Sequence, residues 1–466
     1  MSKRPQQKQE AEADRLQAGD RITVTIKRLG INGEGVGYYK RKAVFVPGAL
    51  PDEVIKAKVS KTEAKYMEAE LDKIEKRSPL RVSPACRVYE QCGGCQVQHL
   101  SPEGQRQAKE EIVRESFARY AGLERPPIRP IAAMDDPWGY RHKAQLQAGV
   151  ISGRTVLGLY SPASHKLVDI SGCPVQQNEI NAAADCIRSL LDELAIPPYR
   201  EKTRQGVIRT VVIRKSAYTG EFQITFVIAA DRLPKANQLI DAIVSRISAV
   251  ATIAVSIKKG NSPLVFGDRT HVLWGKPAIE ERLGSVSYQL SPRAFFQLNP
   301  EQTVKLYDFV KEAAALSGTE RVVDAYCGTG TIALWLAPDA AEVRGIEEIA
   351  EAVEDARNNA KRNRVRNASF YVGKSEEVLP LWLKEGFRPD VIVADPPRTG
   401  LDRKLLSAII QARPKRFVYV SCNPATLAKD CKVLLDGGFE LQWIQPVDMF
   451  PQTAHVECVV RIYREE

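Results

Sequence analysis

Val322-Val323-Asp324-Ala325-Tyr326-Cys327-Gly328-Thr329-Gly330 is an apolar run that carries a carboxylate and opens into a turn of small residues. It reads as a buried strand leading to the N-terminus of a helix, with glycines that let the backbone approach a ligand closely. The same rhythm extends on both sides: a helix from about Glu301, strand Arg321 to Ala325, strand Glu342 to Ile346, helix Ala350 to Asn363, then strands Ser369 to Val372, Val391 to Ala394 and Arg416 to Ser421, with helices between. A terminal pair follows near Leu441 to Val447 and His455 to Tyr463. Alternating buried strands and helices predict an α/β Rossmann-like domain with a doubly wound parallel sheet and an antiparallel strand from the terminal hairpin. Ligands of such sheets sit beyond the carboxyl ends of the strands, at the switch point. Seventeen residues past Gly330, Glu347 ends the next strand, where a carboxylate can accept both hydroxyls of a ribose. A nucleotide-like cofactor follows. A dinucleotide usually brings a G-x-G-x-x-G turn, whereas this chain has Cys327-Gly328-Thr329-Gly330-Thr331.

Downstream stand Asp395-Pro396-Pro397-Arg398, Ser421-Cys422-Asn423-Pro424 and His455-Val456-Glu457-Cys458. Cys422 follows a buried strand and precedes a proline-containing turn into a helix, whose N-terminal dipole is expected to lower a thiol's pKa. Glu457 lies among Val456, Cys458, Val459 and Val460, where a carboxylate is costly unless it works or is paired. Partial burial is expected to raise its pKa toward that of a useful base. The double proline fixes the loop after its strand; Asp395 suits orienting a cofactor or base, and Arg398 suits a phosphate or a carboxylate.

Together these stretches resemble the RNA 5-methyluridine methyltransferases, and most closely the bacterial 23S rRNA uracil-5-methyltransferases, from about Gly19 to the end. The resemblance implies S-adenosyl-L-methionine (SAM) as methyl donor, contacted by Gln297 of Phe295-Phe296-Gln297-Leu298-Asn299, Tyr326, Glu347 and Asp395. Taken alone, Gln297 and Tyr326 read more readily as helix capping and core packing than as ligand contacts. Uracil C5 is too weak a nucleophile to attack a sulfonium methyl unaided, so a thiolate first adds at C6. The resemblance makes Cys422 that nucleophile and Glu457 the base that removes the C5 proton. The remaining Cys186, Cys327, Cys431 and Cys458 lack comparable settings and are read as structural.

At 466 residues the chain is too long for one core, and several domains are expected. The balance of 67 Lys+Arg against 57 Asp+Glu, a net +10, favours a polyanionic partner. No apolar run approaches a membrane span and residues 1–14 lack a signal-peptide core, so a cytoplasmic protein with no membrane partner is expected. Residues 1–14 are expected to be a disordered basic tail and 15–75 a small β-barrel of oligonucleotide-binding type, with strands Ile22 to Ile26, Ala43 to Val46, Glu53 to Val59 and Met67 to Ile74 and a Gly-rich turn at Gly30, Gly33, Gly35 and Gly37. The barrel resembles the TRAM domain of RNA-modifying enzymes. Tyr38 to Lys42, with Lys61, Lys65 and Tyr66, suit base stacking and phosphate contact, or simply form a solvated basic hairpin. A central α+β domain is expected over 76–290, with a charged helix at about 102–120 that packs on the catalytic domain, and the methyltransferase domain over 291–466.

Cys86, Cys92, Cys95 and the remote Cys173 supply four soft ligands that suit zinc or an iron–sulfur cluster. Three clustered cysteines plus a distant one before proline is the more usual pattern for [4Fe–4S]. The resemblance to the 23S rRNA enzymes implies that cluster, and 23S rRNA as partner of a monomeric protein. The C-x3-C-x2-C spacing of radical-SAM enzymes is absent. Three other readings stand beside this one: a tRNA uracil-5-methyltransferase, an exocyclic-amine methyltransferase using Asp395-Pro396-Pro397, and a non-catalytic RNA-binding protein. The amine enzymes stack an aromatic residue where this chain has Arg398, and a binding protein leaves Cys422 and Glu457 unexplained.

Overall fold

The computed structural model describes residues 16–260, 262 and 264–464, and the expected tail over 1–14 lies outside them. Strands β1 (Arg21–Leu29), β2 (Gly35–Tyr39), β3 (Lys42–Val46), β4 (Val54–Thr62) and β5 (Tyr66–Lys76) form a closed barrel in the order β1-β2-β3-β5-β4. Alternation in β1 sends Ile22, Val24 and Ile26 inward, so the barrel has its own apolar core. Gly35 and Gly37, expected in a Gly-rich turn, instead lie in strand β2. These glycines answer to packing, since a Cβ at Gly37 would lie 2.3 Å from Val24 Cγ1 and one at Gly35 would lie 2.7 Å from the Ala49 carbonyl oxygen. Glu53 of the barrel, fully buried, accepts from Arg81 at 2.6 and 2.8 Å and fastens the barrel to the segment that follows.

The central sheet contains β6 (Lys143–Ile151), β7 (Arg154–Tyr160), β8 (Leu167–Asp169), β9 (Ile208–Lys215), β10 (Phe222–Ile228), β11 (Val250–Ile257) and β12 (Arg269–Gly275) in the order β12-β11-β10-β9-β6-β7-β8. The hairpin expected around Tyr218-Thr219-Gly220 is β9 and β10, paired antiparallel. Before this sheet runs α1 (Pro102–Ala121); α2 (Asn178–Glu193) and α3 (Ala236–Arg246) pack on the sheet. The hairpin of β13 (Ile279–Leu283) and β14 (Val286–Leu290) precedes the expected boundary at 291, yet its Ile279, Leu283, Val286, Tyr288 and Leu290 share one core with the C-terminal sheet. Alternation along both strands buries one face of this hairpin against the C-terminal sheet, so the hairpin packs with that sheet.

The second half contains α4 (Pro300–Ala314), β15 (Arg321–Asp324), α5 (Thr331–Leu336), β16 (Glu342–Glu347), α6 (Ala350–Arg362), β17 (Ala368–Val372), α7 (Ser375–Lys384), β18 (Val391–Ala394), α8 (Arg403–Ala412), β19 (Arg416–Ser421), α9 (Pro424–Asp436), β20 (Glu440–Val447) and β21 (Glu457–Tyr463). Strand order is β17-β16-β15-β18-β19-β21-β20, parallel through β19, with β21 antiparallel to both neighbours. The order reverses between β15 and β18. From the N-terminal half, α1 lays Ile112, Val113 and Phe117 into the core of this sheet and packs against α9. No helix among the described residues is long and apolar enough to cross a membrane.

Candidate active site

At the β15/β18 switch point the strand ends open into a cavity of about 730 Å³, and Gln297, Tyr326, Glu347 and Asp395 all line it. The sheet fixes three of them, because Asp395 directly follows β18, Tyr326 follows β15 by one residue and Glu347 ends β16. Glu347 accepts from the amides of Gly328 at 3.2 Å and Ile349 at 2.9 Å, which aims its carboxylate across the turn after β15. Gly328 and Gly330 take positive φ of 52° and 84° there. A Cβ on Gly330 would press on Phe370 and Ala356 at 3.1 to 3.2 Å.

The residues fit a SAM-like donor on an independent ground. Asp324 is fully buried at the cavity wall, where the amides of Ala333 and Tyr326 are directed at its carboxyl and, among the described residues, no side chain pairs with it. A buried carboxyl with no side-chain partner leaves room for one from outside the chain. Burial, then the neighbouring Asp395, pushes its pKa up to about 7. Burial alone pushes Asp395 to about 7 as well. A cationic sulfonium suits a pocket walled by such carboxyls.

Beyond Asp395 lies the second half of the site. Ser421 at the end of β19 pairs with Cys458 of β21, so Cys422 and Glu457 each stand one step past that pair, side by side. Asn423 caps α9, accepting from the Ala425 amide at 3.1 Å. Its Nδ2 also donates to the Arg398 carbonyl at 3.0 Å, and this bond ties the Asp-Pro-Pro-Arg loop to the Ser-Cys-Asn-Pro turn. The Arg398 Nη2 lies 3.3 and 3.4 Å from the two ring nitrogens of His455.

Glu457 is 6 % exposed, and burial followed by the charge of Asp395 raises its pKa to about 8, with Arg398 opposing. Cys422 departs from expectation. Burial, then Glu457 and Asp395, push its thiol up to about 11, and Arg398 and the local backbone recover only part of this. The helix N-terminus was expected to dominate, but two carboxyls face the sulfur across the sheet and burial removes the water that would screen them. Sequence reasoning also left out Tyr307 as a site residue. Tyr307 belongs to the apolar stripe of α4, is 2 % exposed and feels Asp395, Asp324 and Glu457, but on a helix it reads as core.

Cys86, Cys92, Cys95 and Cys173 line one pocket of about 450 Å³ against the central sheet. Burial raises the pKa of Cys92, Cys95 and Cys173, Cys95 to about 12, and each is raised further by neighbouring cysteines of the group. Among the described residues, no three His, Cys, Asp or Glu converge on a single-ion site. The donor set is all sulfur, which suits zinc or an iron–sulfur group alike.

Residues 270–465 match the family described as tRNA (Uracil-5-)-methyltransferase, and residues 15–71 match the TRAM domain. A Bacillus cereus protein named an uncharacterized RNA methyltransferase is 50% identical over 98% of this chain and 100% of its own length. A similarly named protein of Halalkalibacterium halodurans is 51% identical over 96% of this chain and 97% of its own. Among solved structures, the tRNA (uracil-54, C5)-methyltransferase of Pyrococcus abyssi, in complex with S-adenosyl-L-homocysteine, is 29% identical with a TM-score of 0.75, covering 95% of this chain and 100% of that one.

Proposed function

The chain belongs to the TRAM-containing RNA methyltransferases of the uracil-5 family, and from that premise we propose that it methylates C5 of uridine in 23S rRNA through a covalent bond between Cys422 and C6. The observation that carries the reading is the strand register that sets Cys422 beside Glu457, both within electrostatic reach of Asp395, which lines the cavity. SAM supplies an electrophilic methyl group. Gln297, Tyr326, Glu347 and Asp395 hold the donor, with Glu347 on the ribose hydroxyls.

Cys422 Sγ adds to C6 as thiolate, its proton having passed to solvent, and the electrons of the C5–C6 double bond pass to O4 as an enolate. C5 then takes the methyl group. Glu457, as carboxylate, removes the remaining C5 proton, the double bond re-forms and the thiolate leaves. A thiol held near 11 and an acid near 8 are little ionised at neutral pH in the free chain. The positive charge of the donor next to Asp395 favours both ionised forms, so ordered binding of donor before chemistry follows from the electrostatics. Arg398 opposes both shifts and stabilises the anionic partners.

The four-cysteine pocket supports a [4Fe–4S] cluster held by Cys86, Cys92, Cys95 and Cys173, and with it the 23S rRNA reading. A tRNA substrate is the second reading, favoured by the likeness to the Pyrococcus tRNA enzyme. Mapping 5-methyluridine in total RNA from cells lacking the gene separates them: a uridine unmodified in 23S rRNA supports the first, and loss confined to tRNA supports the second.

A further inference from the structure

The catalytic carboxylate stands at the start of β21, and the loop leading to it, residues 448–456, is held mainly by residues far away in sequence. Lys109 of α1, 1 % exposed, reaches Asp448 Oδ1 at 2.5 Å and the Phe450 carbonyl at 3.1 Å. One turn earlier on α1, Gln105 donates to Gln452 Oε1 at 3.0 Å and accepts from the Gln452 amide at 3.0 Å. The Gln452 carbonyl in turn accepts from the amides of Gln96 and Val97, the two residues after Cys95, each at 3.1 Å. Tyr140 from the central region donates to the Pro451 carbonyl at 2.9 Å. Gln452 itself sits at φ +70°, a conformation that a non-glycine residue keeps only where its surroundings impose it. Burying an ammonium and a carboxylate in this way is weak evidence for stability and a strong constraint on geometry.

We propose that Lys109, paired with Asp448, is a positioning residue for the methyl-transfer reaction, fixing the loop that delivers Glu457 to the C5 proton. Resting on the reading of Glu457 as base, the inference separates two steps that share one site. Attack by Cys422 depends on β19 and the Asn423 turn, which Lys109 does not touch. Proton removal depends on Glu457, whose approach the loop sets. Loss of the pair therefore slows release of methylated RNA while adduct formation continues.

The test uses the full-length chain with Lys109→Met and Asp448→Leu combined, since replacing both members of a buried pair by apolar side chains usually preserves a fold. The expected result is unchanged S-adenosylhomocysteine affinity, adduct formation on 5-fluorouridine RNA within about twofold of wild type, and release from uridine RNA slower by roughly tenfold to a hundredfold, with adduct accumulating. Backbone hydrogen exchange over 449–456 rises in parallel. Release at the wild-type rate without accumulating adduct overturns the proposal. Gln105→Leu, which leaves the ion pair intact and removes the hydrogen bonds to Gln452, is the second variant; release slowed less than in the pair variant is expected, and release slowed as much or more overturns the assignment of the role to Lys109. Glu457→Gln is run alongside. If it traps adduct while the pair variant releases normally, only the positioning role falls; if it releases normally, the base assignment falls and takes this inference with it.

Discussion

Cys422 and Glu457 come from strands that are neighbours in the sheet but 35 residues apart in sequence, and the pairing of Ser421 with Cys458 sets them side by side. The proposed nucleophile and base thus stand at the end of one strand ladder, and the loop 448–456 leads directly into the base. Both belong to a site in which burial holds Asp324, Asp395, Cys422 and Glu457 above their ordinary values.

Glu457→Gln keeps the shape and removes the base. It is expected to form adduct with uridine RNA and to release it at a rate reduced by about 10²-fold or more, because general-base catalysis contributes on that scale. Gel analysis of denatured enzyme–RNA mixtures checks this, and normal turnover would point to another proton acceptor.

Stability without donor is expected to fall with rising pH. Glu457 moves from an ordinary 4.5 to about 8 and Asp395 from 3.8 to about 7, so the folded chain binds protons more tightly than the unfolded one between those values. Stability from these groups is complete below the ordinary values and is lost as pH climbs through the folded ones. The thermal midpoint of donor-free protein should drop between about pH 5 and pH 8, and Glu457→Gln should lie above wild type at the upper end. A midpoint that rises over this range contradicts the assigned burial.

Much of this site was legible because its chemistry sits at strand ends. Asp324, Glu347, Asp395 and Cys422 each close an apolar run, and a doubly wound sheet gathers such positions at one edge. Three features were not legible. Gly35 and Gly37 look like turn residues until the Val24 and Ala49 contacts are known, since close approach of two backbones leaves no periodic trace. The hairpin 279–290 alternates like any strand pair, and nothing local says which core it joins. The shift of Cys422 depends on Glu457 and Asp395 facing it across the sheet, a tertiary fact that outweighs the local helix terminus. The bracing of 448–456 by α1 and Gln96 is of the same kind, joining residues hundreds of positions apart.

Protein purified without oxygen is expected to be brown, with iron and sulfide at about four each per chain, and Cys173→Ser should bleach it. Stoichiometric zinc in colourless anaerobic protein contradicts the cluster and removes the main support for rRNA over tRNA.

The barrel's exposed Tyr38 and Lys65 are expected to contact RNA. Changing both to Ala should weaken binding to a 23S rRNA fragment several-fold and reduce its salt slope by about 1, with SAM affinity unchanged, because the barrel contributes nothing to the cofactor cavity. Binding isotherms at several salt concentrations decide it, and an unaltered slope removes the phosphate contact.

The covalent step is tested most directly by incubating wild type and Cys422→Ala with SAM and target RNA carrying 5-fluorouridine, then denaturing and mapping any RNA-linked peptide by mass spectrometry. Fluorine at C5 blocks the final elimination, so wild type is expected to yield a denaturation-resistant adduct whose linkage maps to Cys422, and the Ala variant none. An adduct of equal yield in Cys422→Ala, or a linkage mapped to another residue, contradicts the assignment.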